Sequence, residues 1–289
     1  MIHATWKELP LTPRFPLGTS KGVISERTVW YLIAWDEDHP QVRGIGEAAL
    51  FPGHSKEFPA DVRTKLLELC HDTSNWEQRL TDDLMHVPSA RFAVEQCLRD
   101  LAMSGTKVLF PSEFTLGRKG IPINGLVWMG DKAAMRERIK MQIDGGNRCV
   151  KMKIGAIDIA DELQLLVDVR REFNAKELTL RVDANGAFSG SNVMPVLERL
   201  AELDVESIEQ PVPPGLYEVM AELCARTPLP IALDEDLIGI NTMDGKADLL
   251  DHVKPQHIVI KPSMVGGWAA AQEWIDLAQE RGIGWWITS

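Results

Sequence analysis

From about residue 118 onward the chain follows an alternation that few folds accommodate. Short apolar stretches recur at 121–128 (IPINGLVW), 149–155 (CVKMKIG), 178–186 (LTLRVDANG), 205–212 (VESIEQPV), 230–236 (PIALDED), 257–263 (HIVIKPS) and 284–289 (GWWITS). Between them lie segments of helical character. DKAAMRERIKMQIDGG closes on a glycine stop, and DIADELQLLVDVRREF opens with an aspartate at a cap position. Seven strands interleaved with helices predict a parallel sheet covered by helices, and the number points to a (β/α)8-type barrel. An open doubly wound sheet is the alternative, although no GxGxxG follows a strand to support nucleotide binding.

The charges on these strands sharpen the reading. In CVKMKIG a period of two puts Lys151 and Lys153 on one face and Val150, Met152 and Ile154 on the other. On an antiparallel edge strand the lysine face would simply lie in water. In a parallel barrel the outer face packs on helices and the inner face fills the barrel, so both lysines must point inward. A desolvated ammonium without a partner costs several kcal/mol, so opposite charges are expected to point inward as well. They are present, strand by strand. LRVDANG carries Asp183, with Arg181 and Asn185 on the same face; SIEQPV carries Glu209; ALDED carries Asp234 and then Glu235; and VIKPS carries Lys261. Asp183, Glu209 and Asp234 follow one another at intervals of 26 and 25 residues, the length of one β/α unit. Each precedes a turn, a proline or a glycine closely, which places it at the C-terminal end of its strand, where barrel enzymes keep their active sites.

Three carboxylates converging from adjacent strands suit a hard divalent cation. Mg²⁺ is favoured, with Mn²⁺ as a substitute, and the lack of neighbouring histidine or cysteine argues against zinc. The alternative for the same residues is a buried salt-bridge network of carboxylates and lysines without a metal. A lysine desolvated beside a divalent cation is expected to have a lowered pKa and to serve as a general base. That arrangement suits removal of a proton α to a carboxylate.

The first third of the chain is mixed. VWYLIAW (29–35) reads as a strand, GIGEAALFPGHS (44–55) as a loop, and residues 56–104 as helical, notably RFAVEQCLRDLAM. GTSKG (18–22) lacks the spacing and context of a phosphate-binding loop. A net charge of −11 argues against nucleic acid or an anionic membrane as a partner, while the inward lysines and acids suit a small-molecule carboxylate substrate. Cys70, Cys97, Cys149 and Cys224 are scattered and read as reduced thiols of a cytoplasmic protein. No signal peptide and no run of 18 apolar residues is present, and a homo-oligomer stays open.

The KxK of the second strand, the acids on strands three to five and the lysine on strand six resemble the enolase superfamily, in particular its muconate-lactonizing-enzyme-like subgroup. The stretches GTSKGV, INGLVWMGD, VKMKIGAID, LRVDANGAF, SIEQPV, IALDEDLIG, IKPSMVGG and GIGWWITS are similar to a dehydrating branch of that subgroup. The resemblance implies an α/β fold: a (β/α)7β modified TIM barrel over residues 118–289, preceded by an α+β capping domain over residues 1–117. FPLGTSKG (15–22) would belong to the lid. It implies dehydration of a succinyl-hydroxycyclohexadiene carboxylate to an aromatic acid, a reaction undemanding enough to admit side activities. Lys153 would remove the α-proton, Lys261 would stabilise the enediolate and Lys151 would tune Lys153 or contact the substrate carboxylate. Asp183, Glu209 and Asp234 would ligate Mg²⁺, with Arg181, Asn185 and Glu235 in support. Because such barrels continue past a seventh strand, the C-terminal part of the barrel is expected to be missing from this chain, with Ser289 close to substrate. A dipeptide epimerase or N-acylamino-acid racemase uses the same lysines and stands as the alternative enzyme. A catalytically silent binding protein is the alternative of another class.

Overall fold

The computed structural model describes residues 1–14, 17–19, 22–190 and 192–288. Its N-terminal part is an antiparallel sheet with helices laid against it. Strand β1 (Ile2–Leu11) is followed by a short hairpin, β2 (Leu17–Thr19) and β3 (Gly22–Ile24), then by β4 (Arg27–Asp36) and β5 (Gly44–Ala49). The sheet order is β1-β4-β5, with Ile2 opposite Asp36 and Val29 opposite Ala49. Of the expected lid stretch 15–22, residues 15, 16, 20 and 21 lie outside the described residues, and the remainder forms the hairpin.

Helices α1 (Pro59–His71), α2 (Trp76–Arg79) and α3 (Pro88–Ala102) complete this part. Leu32, Ala34 and Ala48 of the sheet pack with Leu66 and Leu69 of α1 and with Ala90, Ala93, Val94 and Cys97 of α3. The expectation of a loop at GIGEAALFPGHS is corrected here, because its first half is strand β5. The glycines that suggested a loop serve close packing instead. A Cβ built on Gly46 would lie 1.8 Å from the carbonyl oxygen of Ala93, and one on Gly44 would lie 2.3 Å from that of Cys97. Helix α3 therefore rests directly on the backbone of β5, an approach that only glycine permits.

The second part alternates as the charge pattern demanded: β6 (Gly125–Val127), α4 (Lys132–Asp144), β7 (Cys149–Lys153), α5 (Ile159–Glu172), β8 (Thr179–Asp183), α6 (Val193–Glu202), β9 (Ser207–Glu209), α7 (Tyr217–Arg226), β10 (Ile231–Leu233), α8 (Met243–Val253), β11 (His257–Ile260), α9 (Pro262–Val265), α10 (Gly267–Glu280) and β12 (Gly284–Ile287). The seven strands β6 to β12 form one sheet in sequential order, and each adjacent pair is parallel. Local signals account for the helix starts. The Asp131 side chain accepts the backbone N–H of Ala134, and that of Asp158 accepts the N–H of Ala160, each satisfying a donor the first turn leaves open. Val150, Met152 and Ile154 are buried with Leu165, Leu166 and Val169 of α5 in a core that runs across the helix-facing side of the sheet. Among the described residues no helix is long and apolar enough to cross a membrane.

The two parts meet through α3 and α10. The Glu95 carboxylate accepts the backbone N–H groups of Trp268 (2.5 Å) and Ala269 (3.3 Å) at the start of α10. There an anion complements the helix dipole. Phe92 and Phe110 both meet the Trp268 ring edge-on, at 5.2 and 4.8 Å between centroids. These contacts hold the N-terminal sheet and helices at the end of the parallel sheet where its strands finish.

Candidate active site

Strand ends concentrate the charges. Lys153, Asp183 and Glu209 are the last residues of β7, β8 and β9, and Asp234 and Lys261 immediately follow β10 and β11. Lys153, Asp183 and Glu209 are register partners across three neighbouring strands; of the three acids expected at one height from their unit-length spacing, Asp183 and Glu209 are in register. Asp234 sits higher, because the partner of Glu209 on β10 is Ala232, two residues earlier.

Each acid is met by an ammonium. Lys151 Nζ donates to Glu209 Oε2 at 2.7 Å and lies 3.4 Å from Asp183 Oδ2. Lys153 Nζ donates to Asp183 Oδ2 at 2.9 Å and to Asn185 Oδ1 at 2.6 Å, and lies 5.9 Å from the centre of the Trp128 ring. Lys261 donates to Asp234 Oδ2. Asn185 in turn donates from Nδ2 to Glu235 Oε1 at 2.9 Å. Arg181 shares the inward face but pairs elsewhere: its guanidinium bonds to Glu206 and stacks 4.3 Å from the Trp286 ring centre. Ser289 lies outside the described residues.

Sequence reasoning missed a residue that shapes the site. Gln210, fully buried, accepts the backbone N–H groups of Asp234 (3.1 Å) and Asp236 (3.3 Å) on its Oε1 and donates to Asp236 Oδ2 (2.8 Å). It thereby fixes the backbone that presents Asp234. Its φ of 40° lies in the left-handed region, a strained position for glutamine that these bonds maintain. The available signal was a neutral amide wedged between Glu209 and Pro211, which a search for charges passes over.

A cavity of about 1110 Å³ opens over these strand ends. The strand side contributes Lys151, Lys153, Asp183, Asn185, Glu209, Glu235 and Lys261, and the N-terminal part contributes Arg27, Glu47, Phe51, His54, Phe92 and Gln96. The volume lies slightly above the roughly 300–1,000 Å³ usual for small-ligand pockets, so a small organic acid fits with room to spare.

The electrostatics are those of a crowded anionic centre. Burial alone would raise the Asp183 carboxyl, yet Lys151 and Lys153 hold it below the usual carboxylate range. Burial pushes Glu209 well up, and Asp183 and Asp234 add to this more than Lys151 offsets. Asp234 is pushed up by burial despite Lys261, and Glu235 by burial and by Asp183. Burial acts to lower Lys151 and Lys261, but Glu209 and Asp183 around the first, and Asp234 and Glu209 around the second, outweigh it and raise both.

Four buried carboxylates thus face three ammonium groups. Glu209 Oε1 and Glu235 Oε2 are buried without a hydrogen-bond donor. Among the described residues no three histidine, cysteine or carboxylate side chains already converge on a metal position, because lysines engage the acids. The donor set nevertheless fits a hard cation. It consists of oxygens from three adjacent strands, one of them an orphaned acceptor, and a cation there would favour the ionised form of acids that burial otherwise pushes up. Burial pushes the Cys97 and Cys224 thiols up to about 12, and all four cysteines are free, so none offers a nucleophile at neutral pH.

Comparison with known proteins agrees with this geometry. Residues 134–289 match the family model described as enolase C-terminal domain-like. The chain is 41% identical to the o-succinylbenzoate synthase of Desulfotalea psychrophila over 100% of its own length and 86% of that protein. It is 28% identical to a hydrophobic dipeptide epimerase of Roseobacter litoralis, over 78% of this chain and 66% of the epimerase. The crystal structure of MenC from Desulfotalea psychrophila superposes with a TM-score of 0.79 at 36% identity, covering 100% of this chain and 86% of that one.

Proposed function

The chain belongs to the enolase superfamily, and we propose that it is an o-succinylbenzoate synthase. It would convert 2-succinyl-6-hydroxy-2,4-cyclohexadiene-1-carboxylate into o-succinylbenzoate and water, a step of menaquinone biosynthesis in the cytoplasm. The observation that carries the reading is the placement of Lys153 and Lys261. They stand at the end of β7 and just past the end of β11, on either side of the three strands at whose ends lie Asp183, Glu209 and Asp234, and both line one cavity.

Lys153 takes the proton from the carbon bearing the substrate carboxylate. The electron pair left behind forms the new ring double bond, and the neighbouring C–O bond breaks with its pair to release hydroxide, which takes up the proton now carried by Lys153 and leaves as water, returning Lys153 to its starting state. Lys261 faces the substrate from the opposite side as a cation, stabilising the charge that builds on the carboxylate and assisting hydroxide loss. Lys151, held between Glu209 and Asp183, helps to keep Asp183 ionised beside Lys153 rather than reacting itself. Asp183, Glu209 and Asp234 would hold the divalent ion, Mg²⁺ with Mn²⁺ as a substitute. When bound, the ion supplies further positive charge against the developing dianion. The product ring is aromatic, so the reaction runs downhill and the barrier lies in forming that charge.

Residues 1–117 act as a cap whose Phe51, His54 and Phe92 close the cavity and select the substrate, and residues 118–289 act as barrel. Arg181 lines the same cavity and supports its wall through Glu206. The test is a side-by-side measurement of kcat/KM on the diene carboxylate, a hydrophobic dipeptide and an N-succinylamino acid. The synthase reading expects the diene acid to lead by at least about tenfold. A lead for the dipeptide or the acylamino acid would transfer the site to the epimerase or racemase reading.

A further inference from the structure

Asn185 sits where the chain leaves β8, with a φ of 45°, and its side chain bridges two charged groups of opposite requirement. Oδ1 accepts from Lys153 Nζ at 2.6 Å, Nδ2 donates to Glu235 Oε1 at 2.9 Å, and the backbone N–H donates to Asp183 Oδ1 at 3.1 Å. Glu235 is only 7% exposed, and the His54 ring of the N-terminal part approaches its Oε1 to 3.7 Å. The two ends of a carboxamide are nearly the same size, so shape does not decide which faces the lysine. Chemistry does, since an ammonium only donates and a carboxylate only accepts. With Nδ2 engaged by Glu235, Oδ1 is presented to Lys153. Without an acceptor at position 235, a flipped amide would set its NH₂ against the ammonium.

We infer that Glu235 is a positioning residue for the reaction: acting through the Asn185 amide, it holds the Lys153 Nζ in place at the end of β7. The inference rests on the reading above, in which Lys153 takes the proton. Neither Asn185 nor Glu235 has to hold the metal or bond to substrate for it. His54 covers Glu235 from the N-terminal part, so the arrangement is complete only with that part packed over the strands.

The test is a double-mutant cycle on the Mg²⁺-loaded full chain with Glu235→Leu, Asn185→Leu and the double variant, together with Glu235→Gln. A positioning chain predicts that each leucine variant lowers kcat by about 10- to 100-fold with KM changed by less than about threefold. The double variant is then no worse than the more damaged single one, because both break the same chain. Glu235→Gln keeps an acceptor oxygen and recovers most of the lost kcat. Additive losses, losses confined to KM, or a Glu235→Gln enzyme as impaired as Glu235→Leu would each overturn the inference. An arm that needs no turnover follows the side-chain amide protons of Asn185 by NMR. They exchange slowly in wild type and Glu235→Gln and fast in Glu235→Leu, and unchanged exchange in Glu235→Leu overturns the inference. A wild-type chain without turnover would defeat the synthase reading, and the NMR arm would still decide the Asn185–Glu235 link.

Discussion

Lys153 and Glu209 define what single residues contribute. Lys153 is held by Asp183 and Asn185 in the cavity wall, and the proposed reaction assigns it the role of base. Lys153→Ala is expected to lower kcat by about 10²- to 10⁴-fold while leaving the far-ultraviolet circular dichroism and melting temperature near wild type. Retained turnover would remove the residue from its role. Glu209 carries the opposite balance, since burial and two neighbouring acids make its charge costly in the metal-free protein. Glu209→Gln should leave the metal-free melting temperature equal to or above that of wild type while abolishing the Mg²⁺-induced rise and the turnover. A Mg²⁺ response equal to wild type would exclude Glu209 as a ligand. The lysines and acids were legible in the sequence because a charge on a buried strand breaks the apolar alternation around it. Gln210 and His54 were not, because a neutral amide on a turn and an imidazole in a loop break no pattern; only the folded backbone brings them to Asp234 and Glu235.

At the scale of elements, the parallel strands were readable because each sits between helices and is flanked by turn residues. The structure shortens them and leaves the period-two faces as read. The N-terminal sheet was harder. Strand β5 was hidden by its glycines, whose reason is the approach of α3. Strand β1 alternates Ile2, Ala4 and Trp6 with more exposed residues, a signal available to inspection but weakened by an edge position and by Pro10. The close packing yields a prediction. Gly46→Val should destabilise the protein by about 3 kcal/mol, read as a lowered denaturant midpoint, because α3 must move off β5. An unchanged midpoint would mean that the two elements are not in that contact. A second prediction concerns His257 at the start of β11. Burial lowers its pKa below 6.5, an effect that Glu206 offsets only in part and to which Arg181 adds a smaller push in the same direction. A depressed histidine is neutral in the folded state where the unfolded chain is protonated, so its contribution is present above pH 6.5 and is lost as pH falls below that value. His257→Gln should therefore lose less melting temperature than wild type between about pH 7 and 5.5. Equal slopes for the two proteins would contradict the assignment.

At the scale of the whole molecule, the account is of a parallel sheet whose strand ends carry four buried acids against three lysines, closed over by an antiparallel sheet and its helices. Such a centre is incomplete in charge. Millimolar Mg²⁺ should raise the melting temperature by mass action on the folded state, and EDTA should reverse the rise. No shift would favour the salt-bridge network without a metal. The central claim is that this centre removes a proton α to a carboxylate and eliminates water. Its most direct test is turnover of 2-succinyl-6-hydroxy-2,4-cyclohexadiene-1-carboxylate by the purified chain, followed through the diene absorbance with Mg²⁺ and then with EDTA. The account predicts loss of the diene signal with appearance of o-succinylbenzoate in Mg²⁺ and none in EDTA. Equal rates in the two solutions, or no product from a chain that shows the Mg²⁺-induced rise in melting temperature, would contradict it.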